Sequence, residues 1–385
     1  MPAKDALAHI SKLLVLSYIV DWVFIVGVAL IGYGFYKLDP NQHPFSLTDP
    51  TISFPYTEHE TVTNETLVLV GLFAPAIIIL IGTLLLISGT ATVAGTKSSK
   101  SQLLRRTLWE WNVGWMGLAL ALAGAWMSTQ GLKTLLGKPR PDLLARCDPD
   151  VSTIAQHVVG GLGERPEGAP VLVDWGICRD QSYNLRVDGF ASFPSGHSSC
   201  DDLTNNCSFN TSLVSFAGLG YLTLWLVAKL SVGFPYLPQF PVEGQDHSDD
   251  RCSVRTRGAA PPVLLMILAF VPTATAFFIS ASRWFNYRHH GFDVISGSLI
   301  GIVFAYIGFR MYYIPIRRGA GWAWGPRSHR RAFIRGIGFP SSLGTDSWSY
   351  NRTTQPTQAT NATGHSEPEP DVENIPVRDQ TEQVA

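Results

Sequence analysis

Three short stretches of this chain carry residues whose types suit the binding and transfer of an oxyanion such as phosphate. They are KTLLGKPRP at 133–141, PSGH at 194–197 and SRWFNYRHHGFD at 282–293. An arginine holds two oxygens of a phosphate with its planar guanidinium, and a lysine adds a point charge. A glycine lets backbone N–H groups approach the anion. Such groups also stabilise the charge that spreads over the oxygens during phosphoryl transfer.

Two histidines and an aspartate in these stretches suit covalent catalysis. His289 and Asp293 are four positions apart, so a helix that begins near His289 would place both on one face. A carboxylate on one ring nitrogen would fix the tautomer and make the other nitrogen more nucleophilic. His197 would protonate the leaving oxygen. We therefore expect His289 to attack phosphorus with Asp293 as its orienting partner.

Long apolar runs must position these stretches. The chain has 385 residues, of which 15% are charged, whereas about 25% is usual in soluble domains. Six runs are long enough to cross a bilayer, which takes roughly 20 residues. The runs are about 13–36, 66–90, 111–132, 214–230, 261–282 and 293–313. They predict an all-α, polytopic membrane protein whose six transmembrane helices form one bundle.

The lysines and arginines of the loops predict the orientation. Loops 91–110 and 231–260 and the segment after 313 are basic, which places them on the cytosolic side. The three stretches then lie on the other side, against the usual bias, so their basic residues need a reason of their own. Arg288 is the exception, and we expect its side chain to extend along the membrane surface. The net charge of −1 says nothing about partners, and we expect no nucleic-acid partner.

The three stretches resemble the signature of the type 2 phosphatidic acid phosphatase superfamily, PAP2. That signature is Lys, six residues, Arg-Pro; then Pro-Ser-Gly-His; then Ser-Arg, five residues, His, three residues, Asp. All three parts are present, in order, with spans between them. The resemblance covers roughly residues 10–315 and is strongest to lipid phosphate phosphatases, including the fungal diacylglycerol pyrophosphate phosphatase type.

The resemblance implies hydrolysis through a phosphohistidine intermediate, with no metal or other cofactor. His289 would be the nucleophile, Asp293 its orienting partner and His197 the acid for the leaving group. The residues that would bind the phosphate are Lys133, Arg140, Ser195, Gly196 and Arg283. His290 fits no position of the signature and receives no role.

The predicted organisation has four parts. They are a cytosolic N-terminus at 1–12, a six-span phosphatase domain at 13–315, a basic juxtamembrane segment at 316–340 and a disordered cytosolic tail at 341–385. The partners expected are the bilayer and a membrane phospholipid substrate, with no obligate protein partner. Cys147 and Cys178 share one far-side loop, so a disulfide is possible there, and the sequence leaves it open.

One segment interrupts the signature. Residues 200–213, CDDLTNNCSFNTSL, separate PSGHSS from the fourth apolar run. Without them the junction would read PSGHSSVSFAGLG, and Ser198 and Ser199 would lengthen that run. Asp201 and Asp202 would also place negative charge near the phosphate site. The segment is either a genuine loop or an error in the gene model, and we favour the error.

The function expected is that of an integral membrane lipid phosphate phosphatase. It would act on phosphatidate, lysophosphatidate or diacylglycerol pyrophosphate at the lumenal or extracellular face of the vacuole, Golgi or plasma membrane. One alternative is a lipid headgroup or phosphoryl transferase on the same fold. Another is a catalytically impaired lipid-binding membrane protein, because residues 200–213 could disturb the site.

Overall fold

Six long helices dominate the computed structural model, which describes residues 12–57, 60–93, 100–161, 170–195, 211–230, 232, 262–316 and 321–327. We number them α1 to α6, and each corresponds to one predicted apolar run. They are α1 Lys12–Tyr36; α2, made of Asn64–Val68, a π-helical turn Leu69–Phe73 and Ala74–Val93; α3 Lys100–Leu136; α4 Thr211–Lys229; α5 Val263–Phe285; and α6 Gly291–Tyr312.

Four of these helices are long and apolar enough to cross a membrane by length and composition. The four segments are Lys12–Tyr36, Glu65–Ile87, Val263–Phe285 and Gly291–Tyr312. Within the described residues, α3 and α4 do not meet the same criterion. The structure therefore supports a polytopic membrane protein, whereas six crossings remain a prediction.

Helix α4 lies inside the bundle. It packs against α3, α5 and α6, and most of its described side chains from Ser215 to Ala228 are buried. At Gly218 a Cβ would lie 2.0 Å from the carbonyl oxygen of Gly71, so only glycine lets α4 approach the π-helical turn of α2.

Buried aromatic side chains form the core between α3, α4 and the end of α6. The Tyr221 hydroxyl donates to the Gly114 carbonyl at 3.0 Å, and Trp225 Nε1 donates to the Tyr313 hydroxyl at 3.1 Å. Phe309 stacks on Tyr313 with ring centroids 5.1 Å apart. The polar atoms of these buried rings therefore have hydrogen-bond partners inside the apolar cluster, as burial requires.

A small antiparallel sheet lies outside the bundle, so the fold predicted as all-α is mostly helical with a few short strands. Its strands are β1 Phe45–Ser46, β2 Val158–Gly161 and β3 Val171–Val173, in the order β1-β3-β2. They come from the segments after α1 and after α3. Strands of two to four residues are too short to show an alternating pattern, so the sequence carries no signal for them.

The sheet belongs to a cap with its own apolar core. The core includes Phe45, Leu143, Ile177 and Phe190, which are all buried. Short helices at Leu143–Cys147, Ile154–His157 and Tyr183–Asp188 complete the cap. The disulfide that the sequence left open is formed between Cys147 and Cys178, which are 31 positions apart.

Residues 321–327 pack on the opposite end of the bundle, where α3 begins. The Trp322 ring lies 4.1 Å from the Arg106 guanidinium and 4.5 Å from Lys229 Nζ. Lys229 pairs with Glu110 at 2.7 Å, and Glu110 also accepts from the Ala323 N–H at 3.0 Å. This part of the predicted basic segment is thus held by the helices, while the predicted tail at 341–385 and residues 1–11 lie outside the described residues.

Candidate active site

The three sequence motifs meet beside the first turn of α6. Three backbone hydrogen bonds join them: Ser192 N to Lys138 O at 3.0 Å, Arg140 N to Gly189 O at 2.9 Å and Ser195 N to Asp293 O at 3.0 Å. The chain after α3, the turn that contains Ser192 and Ser195, and the loop between α5 and α6 therefore form one local structure. The convergence expected from the sequence is present in the described residues.

His289 is buried and oriented by a backbone carbonyl. Its Nδ1 lies 2.7 Å from the Ser192 carbonyl oxygen, and the side chain is almost completely enclosed. A carbonyl oxygen can only accept, so this geometry assigns the hydrogen to Nδ1. In the neutral ring the lone pair is then on Nε2, which is the nitrogen able to act as a nucleophile.

Asp293 is fully buried, and its contacts differ from the predicted one. Its carboxylate lies 2.7 Å from Lys138 Nζ, 2.5 Å from Ser192 Oγ and 3.1 Å from His290 Nδ1. The oxygen at His289 Nδ1 is supplied by Ser192 instead. Asp293 is therefore connected to His289 through Ser192.

The start of α6 explains this difference. Helix α6 begins at Gly291, so His290 is its N-cap and Asp293 is the third residue of its first turn. The Asp293 carboxylate turns back to the His290 backbone N–H at 3.3 Å in a capping box. His289 precedes the cap, so the expectation of one shared helical face does not apply to it.

Arg140 is held by the cap. Its Nε donates to the Asp188 carbonyl at 2.7 Å, and its Nη2 donates to the Asp188 carboxylate at 2.6 Å. Burial lowers the pKa of Arg140 to about 10, although the Asp188 carboxylate opposes that shift. The guanidinium therefore remains a cation at neutral pH, in a fixed orientation.

Arg283 is fixed in the same way by the segment before α2. Its Nη1 donates to Glu60 at 2.7 Å, and its Nη2 donates to the Val62 carbonyl at 2.7 Å. Each of these nitrogens carries a second hydrogen. A bound phosphate could therefore be held without breaking either contact.

Arg288 is buried, which corrects the prediction that it extends along the membrane surface. Its Nη1 donates to Asp142 at 3.0 Å, its Nη2 donates to Asp188 at 3.3 Å, and its Nε lies 3.1 Å from Glu60. Burial by itself would lower the pKa of Arg288, but Asp188, Asp142 and Glu60 raise it above its ordinary value. Sequence reasoning missed these three carboxylates, which lie outside the matched motif positions.

Lys133 and Ser195, two of the predicted phosphate-binding residues, are buried near the same cluster. Lys133 lies within electrostatic range of Arg140, Asp188 and Asp293. The backbone of Ser195 packs against α6 at Gly297, where a Cβ would lie 2.8 Å from the Ser195 carbonyl oxygen. This close approach explains the glycine at position 297.

Gly196 and His197 lie outside the described residues, as do residues 198–210. The described chain resumes at Thr211, at the start of α4. The predicted role of His197 and the origin of residues 200–213 therefore both remain predictions.

Comparisons with known proteins find a matching family and several relatives. The model of the PAP2 superfamily matches residues 113–317, a range that contains all three motifs. Diacylglycerol pyrophosphate phosphatase 1 of Saccharomyces cerevisiae is 28% identical over 299 residues, 77% of this chain and 80% of the relative. The probable diacylglycerol pyrophosphate phosphatase 1 of Schizosaccharomyces pombe is 29% identical over 297 residues, 77% of this chain and 81% of the relative.

A plant relative is similar over a shorter range. Lipid phosphate phosphatase 1 of Arabidopsis thaliana is 28% identical over 232 residues, 60% of this chain and 54% of the relative. No solved structure matches the chain significantly. Because the family model spans more than half of the chain and includes the three motifs that meet in the structure, the chain belongs to the PAP2 superfamily.

Proposed function

We propose that this chain is an integral membrane lipid phosphate phosphatase that acts through a phosphohistidine on His289. Its substrates would be phosphatidate, lysophosphatidate or diacylglycerol pyrophosphate, which agrees with the names of its fungal and plant relatives. The observation that carries the proposal is the bond from His289 Nδ1 to the Ser192 carbonyl among several buried basic side chains. It leaves Nε2 as the nucleophilic nitrogen beside groups that can hold a phosphate.

The reaction would have two steps. In the first, the Nε2 lone pair of His289 attacks phosphorus, the bond from phosphorus to the leaving oxygen breaks, and His197 gives that oxygen a proton. In the second, His197 accepts a proton from water as the water oxygen attacks phosphorus, the P–N bond breaks, and its electron pair returns to Nε2. Lys133, Arg140 and Arg283 would balance the charge on the phosphate oxygens in both steps.

The Ser192 carbonyl would also help the intermediate. After transfer, the ring carries phosphate on Nε2 and hydrogen on Nδ1, so the imidazole is positively charged. The carbonyl dipole at 2.7 Å from Nδ1 is suited to that charge. The phosphate should therefore be found on Nε2 and not on Nδ1.

Phosphate release from phosphatidate in detergent micelles, with a chelator present, tests the proposal. We expect the wild-type chain to be active and His289→Ala to fall to background. His43→Ala is the matched control, because His43 is an exposed histidine outside the site, and it should retain full activity. During turnover the protein should carry a covalent phosphate that is labile in acid and stable in base, and this phosphate should be on Nε2 of the histidine.

The outcomes separate the alternatives. Full activity of His289→Ala would refute the histidine mechanism, and inhibition by the chelator would refute metal independence. Preferential transfer to an added acceptor alcohol would identify the transferase. If the full chain is inactive, activity of a chain that lacks residues 200–213 would identify that segment as the cause.

We also propose that the site faces the lumen or the cell exterior, with six crossings. The cap disulfide between Cys147 and Cys178 supports this side, because such bonds persist in oxidising compartments. Asn64 belongs to an NET sequon on the same side. Asn64→Gln should therefore remove one enzymatically cleavable glycan, and an unglycosylated wild-type Asn64 would argue against this orientation.

A further inference from the structure

We propose that Ser192 is the positioning residue of the nucleophilic histidine, and that Asp293 and Lys138 act on His289 through it. This inference rests on the proposed function. Ser192 lies three positions before Ser195 and received no role from the sequence motifs. Its carbonyl oxygen is the group at Nδ1 of His289, at 2.7 Å.

Every polar atom of Ser192 is engaged by one of the motifs. Its N–H donates to the Lys138 carbonyl at 3.0 Å, and its hydroxyl donates to the Asp293 carboxylate at 2.5 Å. The side chain is fully buried. The carbonyl that orients His289 is therefore held by contacts to both the first and the third motif.

The carboxylate of Asp293 is already occupied by other donors. Oδ1 takes the Lys138 ammonium at 2.7 Å, and Oδ2 takes the Ser192 hydroxyl and the His290 N–H. His290 Nδ1 also lies 3.1 Å from Oδ2. Three of these contacts fall on Oδ2, which has about two lone-pair positions, and one falls on Oδ1. His289 Nδ1 donates to the Ser192 carbonyl and not to this carboxylate. Asp293 is therefore placed to locate Ser192 and not to accept directly from the nucleophile.

The turn that contains Ser192 is also tied to the start of α6 on its other side. The Phe193 ring stacks on the Phe292 ring, with centroids 5.8 Å apart. The Ser195 N–H donates to the Asp293 carbonyl at 3.0 Å. Contacts before and after the Ser192 carbonyl thus converge on the same helical turn, so a loss at Asp293 should displace the carbonyl.

Steady-state kinetics of Ser192→Ala and Asp293→Asn, alone and combined, test the inference. Loss of a hydrogen bond to a charged group should lower kcat about ten- to a hundredfold. KM should change by less than about twofold, because the basic groups that bind phosphate are not altered. If both residues act through the same carbonyl, the double variant should be no slower than the slower single variant.

Three controls distinguish positioning from unfolding. Ser298→Ala, which removes a hydroxyl bonded within α6 to the Val294 carbonyl, should retain full activity. Competitive inhibition by inorganic phosphate should be unchanged in Ser192→Ala, since the basic groups remain. The double variant of Lys138→Met and Ser192→Ala should be no slower than the slower of its two single variants.

The results separate this inference from the proposed function. If His289→Ala is inactive but Ser192→Ala keeps kcat within about twofold, or if the losses in Ser192→Ala and Asp293→Asn multiply, the positioning role is wrong and the phosphohistidine mechanism stands. If His289→Ala remains active, both proposals are overturned. If the residual activity of Ser192→Ala is no longer inhibited by inorganic phosphate, the substitution has disturbed the phosphate-binding groups. Ser192 would then have a structural role, which would also refute the inference.

Discussion

Replacement of Arg288 by methionine should destabilise the protein strongly. Arg288 is buried and lies within 3.0–3.3 Å of carboxylate oxygens from Asp142, Glu60 and Asp188. Methionine keeps an unbranched apolar stem but removes the charge and the planar fork. Removal of one partner from a buried ion pair costs about 3–5 kcal/mol, because the charge left behind has no compensation. We expect the free energy of unfolding to fall by that amount.

The matched control is Arg186, a second arginine of the extramembrane segments. Its guanidinium lies 3.5 Å from Asp39, and the two side chains are 38% and 48% exposed. An exposed pair of this kind is worth about 0–1 kcal/mol, since water screens both charges. Arg186→Met should therefore leave the unfolding midpoint almost unchanged.

Thermal unfolding of the purified protein in detergent, followed by loss of phosphatase activity on heating, measures both variants. Arg288→Lys adds a second comparison, since it keeps the charge but cannot serve three carboxylates at once. Its midpoint should lie between those of the wild type and Arg288→Met. Equal midpoints for Arg288→Met and Arg186→Met would refute the argument that the buried ion pairs of Arg288 stabilise the protein.

Two further predictions follow from the same region. Gly297→Ala should displace the Ser195 backbone, because a Cβ at position 297 would lie 2.8 Å from the Ser195 carbonyl oxygen, and it should therefore lower kcat. Gly291→Ala should leave kcat unchanged, because a Cβ at position 291 would have open space around it. Equal rates of phosphate release by the two variants would contradict the close approach. Cys147→Ser should lower the stability of the cap by roughly 3–4 kcal/mol, because the bond to Cys178 spans 31 positions. Chemical unfolding checks this, and reductant should shift the wild type but not the variant.

The sequence predicted the helices well because their signal is local. Each apolar run is long, and a run of roughly 20 apolar residues is enough to indicate a helix suited to a bilayer. The motifs were equally readable, since the order and spacing of Lys133, Arg140, His289 and Asp293 are properties of the chain itself. Their convergence beside α6 agreed with the prediction.

The partners of the charged residues could not be predicted in the same way. Glu60 and Arg283 are 223 positions apart, and nothing near Glu60 in the sequence indicates the contact. Arg288 was predicted to extend along the membrane surface because no position of the motifs claims it. Its carboxylate partners come from two other segments, which only the folded cap brings to it.

The sequence by itself determined which chemical groups are present, in which order, and on which long helices they depend, because those properties are local in the chain. Only the tertiary structure decided which atom orients His289. The i,i+4 spacing favoured Asp293, but the helix begins after His289, and its capping box turns the carboxylate toward His290. The Ser192 carbonyl reaches His289 from a residue 97 positions away. A backbone carbonyl is common to every residue type, so its role is set by position in space and carries no mark in the sequence.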